Sequence, residues 1–100
     1  METMTFGQMM MAFEDAIQRK EKICFARLIA GKDGWEFENP GEWITYDMKQ
    51  SIFSEDAAPE IDYRRYSPNM VRNGVPVPYL RLGFTADDLT ARWVVYEPVK

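Results

Sequence analysis

One hundred residues, 46% hydrophobic and 14% aromatic, suffice for one packed core, so a single domain spanning residues 1–100 is expected. The chain has no histidine and one cysteine, Cys24, which excludes the common zinc sites, Ser-His-Asp and Cys-His nucleophilic arrangements and any intramolecular disulfide. The net charge is −4, yet the run from Tyr63 to Phe84 holds four arginines and no carboxylate, which leaves −8 on the remaining residues.

From Thr5 onward the chain reads as a helix. Phe6, Met9, Met10, Phe13, Ala16 and Ile17 recur at helical spacing, Thr5 with Gln8 forms a capping box, and Arg19 and Lys20 suit the C-terminal end. The methionines at 9 to 11 read as an adaptable core or subunit-contact surface rather than a cofactor box. "KICFARLIA" is then a strand that stops at the turn signal "GKDG", with Cys24 a packing residue within it. "WEF" and "WIT" flank "ENPGE", a second turn, which gives an antiparallel meander.

The middle, from Tyr46 to Pro59, is polar and poorly periodic and reads as a long connection with room for a short helix, anchored by Ile52 and Phe53. Asn73-Gly74 is a hairpin signal, and the prolines of "VPVPYLRLGF" demote the start of that segment to an edge strand or extended loop. "TADDLTA" is a single capped turn with Thr85 and Asp88 as its box, leading into "RWVVYEP", a terminal strand closed by Pro98. The fold class expected is α+β: an N-terminal helix, a mainly antiparallel sheet of about five strands and a short helical turn before the last strand. No apolar run is long enough to span a bilayer and the first ten residues lack a basic n-region, so a cytoplasmic protein is expected. A chain this small leaves much surface relative to its core, and self-association is a natural source of added stability.

Arg64, Arg65, Arg72 and Arg81 are interleaved with Tyr63, Tyr66, Tyr79 and Phe84. Planar guanidinium donors suit phosphate and aromatic faces suit a base, so the segment fits a small nucleotide. The alternative is that these arginines are solvated, or pair with the acidic remainder of the chain or a neighbouring subunit. A long nucleic acid is a poorer fit, because the other carboxylates repel an extended polyanion. Asp87 and Asp88 diverge on a helical turn and do not form a catalytic pair, and Asp88 reads as a cap. Without a phosphate-binding glycine loop or a metal-ligand cluster, a binding protein is expected rather than an enzyme, with no cofactor. Arg27 lies among apolar strand neighbours, so its charge requires a carboxylate or a ligand phosphate. Trp93 opens an apolar strand and reads as core, while Trp35 and Trp43 sit beside turns.

"TFGQMMMAF", "ARLIAGKDGWEF", "NG" before a Pro-Tyr pair and "DDLTARWVVYE", in that order and over nearly the whole chain, resemble the phage Thoeris anti-defence sponge family, the second type described. The resemblance implies a non-enzymatic homotetramer in the cytoplasm of an infected bacterium. Such a protein captures a cyclic nucleotide immune signal, a glycocyclic ADP-ribose or a cyclic oligonucleotide, without degrading it. Phe6 and Gly7 match the family's helix start, Arg27 its strand arginine, Trp35 the aromatic after the Gly-Lys turn, and Asp87, Leu89 and Trp93 the terminal segment. The family's Gly-Trp-Asn after the strand arginine is Leu28, Ile29 and Ala30 here, and its acidic pair before the last tryptophan is Ala91 and Arg92. Residue pattern and resemblance together nominate Arg27, Trp35, Arg64, Arg65, Tyr66, Asn73, Tyr79, Arg81, Asp87 and Trp93 as ligand-binding. The alternative class is a phage structural or host-protein-binding module with no nucleotide ligand.

Overall fold

A computed structural model of the chain describes residues 2–37, 42–49, 59–78 and 84–97. Helix α1 (Phe6–Arg19) begins where the sequence places it. The Thr5 hydroxyl accepts the Gln8 N–H at 3.1 Å, and the Gln8 side-chain oxygen accepts the Thr5 N–H at 2.9 Å. The helix ends at Lys20, in the left-handed region at φ 58°, with the Glu21 N–H donating back to the Ala16 carbonyl at 2.9 Å.

The strands are β1 (Cys24–Gly31), β2 (Gly34–Phe37), β3 (Trp43–Lys49), β4 (Glu60–Tyr66), β5 (Val71–Arg72), β6 (Val75–Pro76) and β7 (Arg92–Val95), with helix α2 (Ala86–Thr90) before the last. All described pairings are antiparallel, and β1 is the hub. Leu28 lies between Phe37 of β2 and Arg92 of β7, while Phe25 lies between Ile44 of β3 and Val95 of β7. A strand has two edges, so β7 runs along one and β3 and β2 divide the other. The chain crosses from β2 to β3 through Glu42, whose carbonyl accepts the Arg27 N–H at 3.4 Å. Beyond β3 the sheet continues to β4 in full register from Trp43↔Tyr66 to Lys49↔Glu60. The hairpin β5–β6 turns through Asn73 (φ 53°) and Gly74 (φ 77°), two positive-φ positions that a tight hairpin requires.

Helix α1 packs on one sheet face. Met9, Phe13 and Ala16 meet Phe25, Ile44, Tyr46 and Trp93, with Phe13 edge-on to Phe25 (4.9 Å) and Tyr63 (5.2 Å). The opposite face carries Ala26, Leu28 and Val94 beside Tyr96, and Trp43 stacks on Tyr66 at 5.6 Å. The Tyr46 hydroxyl donates to the Glu21 carbonyl and Lys22 Nζ donates to the Tyr46 carbonyl at 2.9 Å, which ties the end of α1 to β3.

The α+β class, the five-stranded sheet and both capped helices match the sequence reading. The middle of the chain requires correction. Tyr46 to Lys49 continue β3 instead of opening a connection, and the residues from Glu60 to Tyr66 form a strand with no counterpart in that reading. β4 alternates in two, but its inner face carries Ile61, Tyr63 and Arg65 and its outer face Glu60, Asp62, Arg64 and Tyr66, and charge on both faces hides the period. The "ENPGE" turn, apart from its last residue, the connection at 50–58 and Pro98 lie outside the described residues. Among the methionines, Met9 is buried and Met10 packs against the core, whereas Met11 is exposed. No described helix is long and apolar enough to cross a membrane.

Phe13 is fully buried against three aromatic rings, those of Phe25, Tyr46 and Tyr63, so Phe13→Ala is expected to cost about 3–5 kcal/mol of unfolding free energy in urea titration. A loss below about 1 kcal/mol would mean that α1 does not cover this sheet face.

Candidate functional site

The arginines expected to form one basic patch are divided by the geometry of β4. Successive strand residues point to opposite faces, so Arg64 and Arg65 cannot share one. Arg64 lies on the face away from α1, where Nε reaches Asp62 Oδ2 at 3.3 Å and Nη2 reaches Asp47 Oδ2 at 3.5 Å. Arg65 turns to the α1 side, opposite Ile44, and is drawn into a buried ionic cluster.

The centre of that cluster is Asp88, whose side chain has no exposed surface. It stands at the third position of α2, where its Oδ2 accepts the Thr85 N–H at 2.8 Å and its own N–H donates to the Thr85 hydroxyl at 3.3 Å. Arg27 Nη1 of β1 donates to Asp88 Oδ1 at 2.9 Å, and Arg65 Nη2 of β4 donates to Asp88 Oδ2. Arg65 Nη1 also reaches Glu42 Oε2 at 3.3 Å. The Trp93 indole N–H donates to the Asp88 carbonyl at 3.1 Å, so one residue binds α2 to β1, β4 and β7. Burial, the largest influence, pushes the Asp88 carboxyl up. The hydrogen bond from Arg65, the Thr85 N–H, the Arg65 charge and the hydrogen bond from Arg27 outweigh it and hold the group below its ordinary value.

Two clefts flank this cluster. One, of about 210 Å³, runs along β4: residues 61–65 line it consecutively, with Ile44 and Phe84. The Tyr63 phenol within it is pushed above its ordinary value by burial and then by the Glu14 charge, so it remains a proton donor at neutral pH. The other, of about 250 Å³, lies between the β1–β2 hairpin and α2: residues 27–30 line it consecutively, so it follows the edge of β1, with Arg27 on the α1 face of the sheet, Trp35 beside Ala30 on the other, and Asp87, Thr90 and Ala91 across from them. Trp35 is 43% exposed there. A broader depression of about 610 Å³ beside Met4 and Gln8 contains Glu2 but no cationic side chain among its described lining residues. The two smaller clefts fall below the ~300 Å³ typical of a site that encloses a drug-sized ligand.

The nominated residues are thus dispersed. Arg27, Trp35 and Asp87 line the hairpin cleft; Arg64 and Arg65 line the β4 cleft. Tyr66 stacks on Trp43 on the far face, and Asn73 occupies the exposed β5–β6 turn. Trp93 is 1% exposed and belongs to the core, leaving no ring face for a ligand. Tyr79 and Arg81 lie outside the described residues. The sequence reading assigned Asp88 only a capping role and passed over Glu42. The available signal was Arg27 itself, a charge on an apolar strand that demands a buried carboxylate. No described group of three or more Cys, Asp or Glu side chains is placed to hold a metal ion. Compared with protein-family models, with curated proteins and with solved structures, the chain matches none.

Asp88→Asn leaves two mostly buried guanidinium groups without their shared anion and is expected to cost about 3–5 kcal/mol at neutral pH. The Asp88 carboxyl titrates below its ordinary 3.8 in the folded state, so its contribution is fully present above that value and is lost as pH falls through the folded value. Urea titrations at pH 7 and pH 3 should therefore show the difference between wild type and variant narrowing in acid. A difference independent of pH would mean that Asp88 acts through its shape and not its charge.

Proposed function

We propose that the protein binds a small cyclic nucleotide without degrading it, and that the hairpin cleft is the site. The observation that carries this reading is that Trp35, Arg27 and Asp87 line one cleft at the edge of β1, with Trp35 43% exposed. An indole face stacks on a base, a guanidinium neutralises phosphate and a carboxylate accepts from ribose hydroxyls. Asp88 orients Arg27 from beneath at 2.9 Å, so the cation is held in place before a ligand arrives. The resemblance to the anti-defence sponge family supplies the ligand class, a cyclic ADP-ribose isomer or a cyclic oligonucleotide, and the setting, the cytoplasm of an infected bacterium.

The cleft, at about 250 Å³, covers only part of such a ligand, so the site is completed by a neighbouring subunit of a homotetramer. Sequestration then works by mass action. A protein in excess over the signal, with an affinity above that of the signal's own receptor, lowers the free concentration without any chemical step.

A second reading draws on the apolar rim of the same cleft. Ile29 and Trp35 both line it and are exposed, and such a rim also suits a protein contact in a phage structural or host-binding module.

Incubation with cyclic ADP-ribose isomers or cyclic oligonucleotides, followed by heating and mass spectrometry, should return the ligand intact. A hydrolysed product would instead indicate an enzyme, and co-purification of a protein with no nucleotide-induced rise in melting temperature would favour the second reading. Trp35→Ala should weaken nucleotide binding about ten- to a hundred-fold, the worth of one base–aromatic stack, with little change in melting temperature of the unliganded protein. Equal affinity of wild type and variant would remove this cleft from consideration.

A further inference from the structure

The Asn73-Gly74 turn carries an inference separate from either cleft. The β5–β6 pairing joins Val71 to Pro76 and Arg72 to Val75, so Asn73 and Gly74 stand outside the ladder as the two residues of the turn. Both have positive φ, 53° and 77°, and both are exposed. Among the described residues neither makes a hydrogen bond to a side chain or to backbone outside the hairpin. An exposed carboxamide, a chemically labile group, is thus followed by a backbone nitrogen that carries no side chain to crowd it. The other two asparagines lack this combination. Asn39 precedes Pro40, which has no N–H. Asn69 precedes Met70, whose N–H donates to the Ser67 carbonyl at 3.0 Å and whose own side chain flanks the nitrogen.

We infer that Asn73 is a site of self-modification in the folded protein: the Gly74 nitrogen converts its carboxamide to aspartate and isoaspartate, with water as the only co-reactant. The Gly74 N–H gives its proton to solvent and the nitrogen attacks Cγ of Asn73. A C–N bond forms, the carboxamide nitrogen takes up a proton and leaves as ammonia, and a five-membered succinimide results. Water then opens one of the two imide C–N bonds. Opening at the side-chain carbon gives aspartate; opening at the main-chain carbon gives isoaspartate. One water is consumed and one ammonia released, nothing is oxidised or reduced, and a carboxylate in place of the amide takes the net charge from −4 to −5. The two products differ in consequence. Aspartate keeps the turn, because Asp-Gly supplies the same pair of positive-φ residues. Isoaspartate carries the chain through its side chain and adds one carbon to the main chain, which a two-residue turn cannot absorb in register. The β5–β6 pairs are then lost, together with the Val77 N–H to Met70 carbonyl bond at 3.0 Å beyond them. The inference stands whether or not the hairpin cleft binds a nucleotide.

Ageing of the full chain tests it. One sample is held at physiological temperature in neutral buffer and another in urea, and both are mapped by peptide mass spectrometry. In the folded sample Asn73 should be the main site of ammonia loss, several-fold ahead of Asn69 and Asn39. Its peptide should accept methyl groups from S-adenosylmethionine in the presence of a protein isoaspartate methyltransferase, which marks the isoaspartyl product. Asn73→Gly keeps the turn, since Gly-Gly is also a preferred pair, and should lose both the mass change and the methyl acceptance at that peptide. An Asn73 that stays intact in the folded chain, whether or not it reacts in urea, would overturn the inference, as would modification of Asn69 to the same extent.

Discussion

Asp88 is the constraint on which the rest of the arrangement depends. Its carboxylate is fully buried and accepts from Arg27 of β1, Arg65 of β4 and the backbone of Thr85, while its carbonyl receives the Trp93 indole. A buried ion set of this kind adds little net stability against an apolar core of equal volume, since desolvation offsets most of the Coulomb attraction. Its effect is on uniqueness. Contacts to guanidinium groups from two separate strands give the five-residue helix, too short to be stable alone, a defined seat on the sheet.

That seat determines both clefts. With α2 held by Asp88, its neighbour Asp87 stands beside the β1–β2 hairpin, where Trp35 and Arg27 line the same cleft. On the other side of the cluster Arg65 is drawn under the sheet, and Phe84, just before α2, closes against Phe6 and Tyr63 at the head of α1. One carboxylate thus orients the cation of the hairpin cleft and shapes the wall of the β4 cleft. Arg64 and Arg65, which look like part of an open basic patch in sequence, are instead paired with Asp47, Asp62, Glu42 and Asp88.

Legibility in the sequence was a matter of locality. The capping boxes at Thr5 and Thr85 and the Asn73-Gly74 turn are settled within four residues, and all three stand where the pattern put them. β1 was legible because its dense apolar run ends at the turn signal "GKDG", and Phe25, Ala26 and Leu28 within it are buried. β4 was not, because its inner face carries Tyr63 and Arg65 where a strand normally shows aliphatic residues, and the arginine proved its membership only through Asp88, 23 residues away in sequence. The same oversight made Arg64 and Arg65 look like partners in one patch, whereas strand geometry separates them. Trp93 fits the core reading that its apolar neighbours suggested, and of the residues singled out for ligand binding, Arg27, Trp35 and Asp87 are the group that folding draws together.

The central functional claim is that Trp35, and neither of the other two tryptophans, meets the ligand. Three tryptophans give three indole N–H resonances, and in an NMR titration with a cyclic ADP-ribose isomer the Trp35 signal should move strongly. The Trp93 signal, whose proton is held by the Asp88 carbonyl, should stay nearly fixed, as should that of the buried Trp43. A titration to saturation that shifts Trp93 or Trp43 and leaves Trp35 unmoved, or one in which no indole responds to any cyclic nucleotide, would contradict the account.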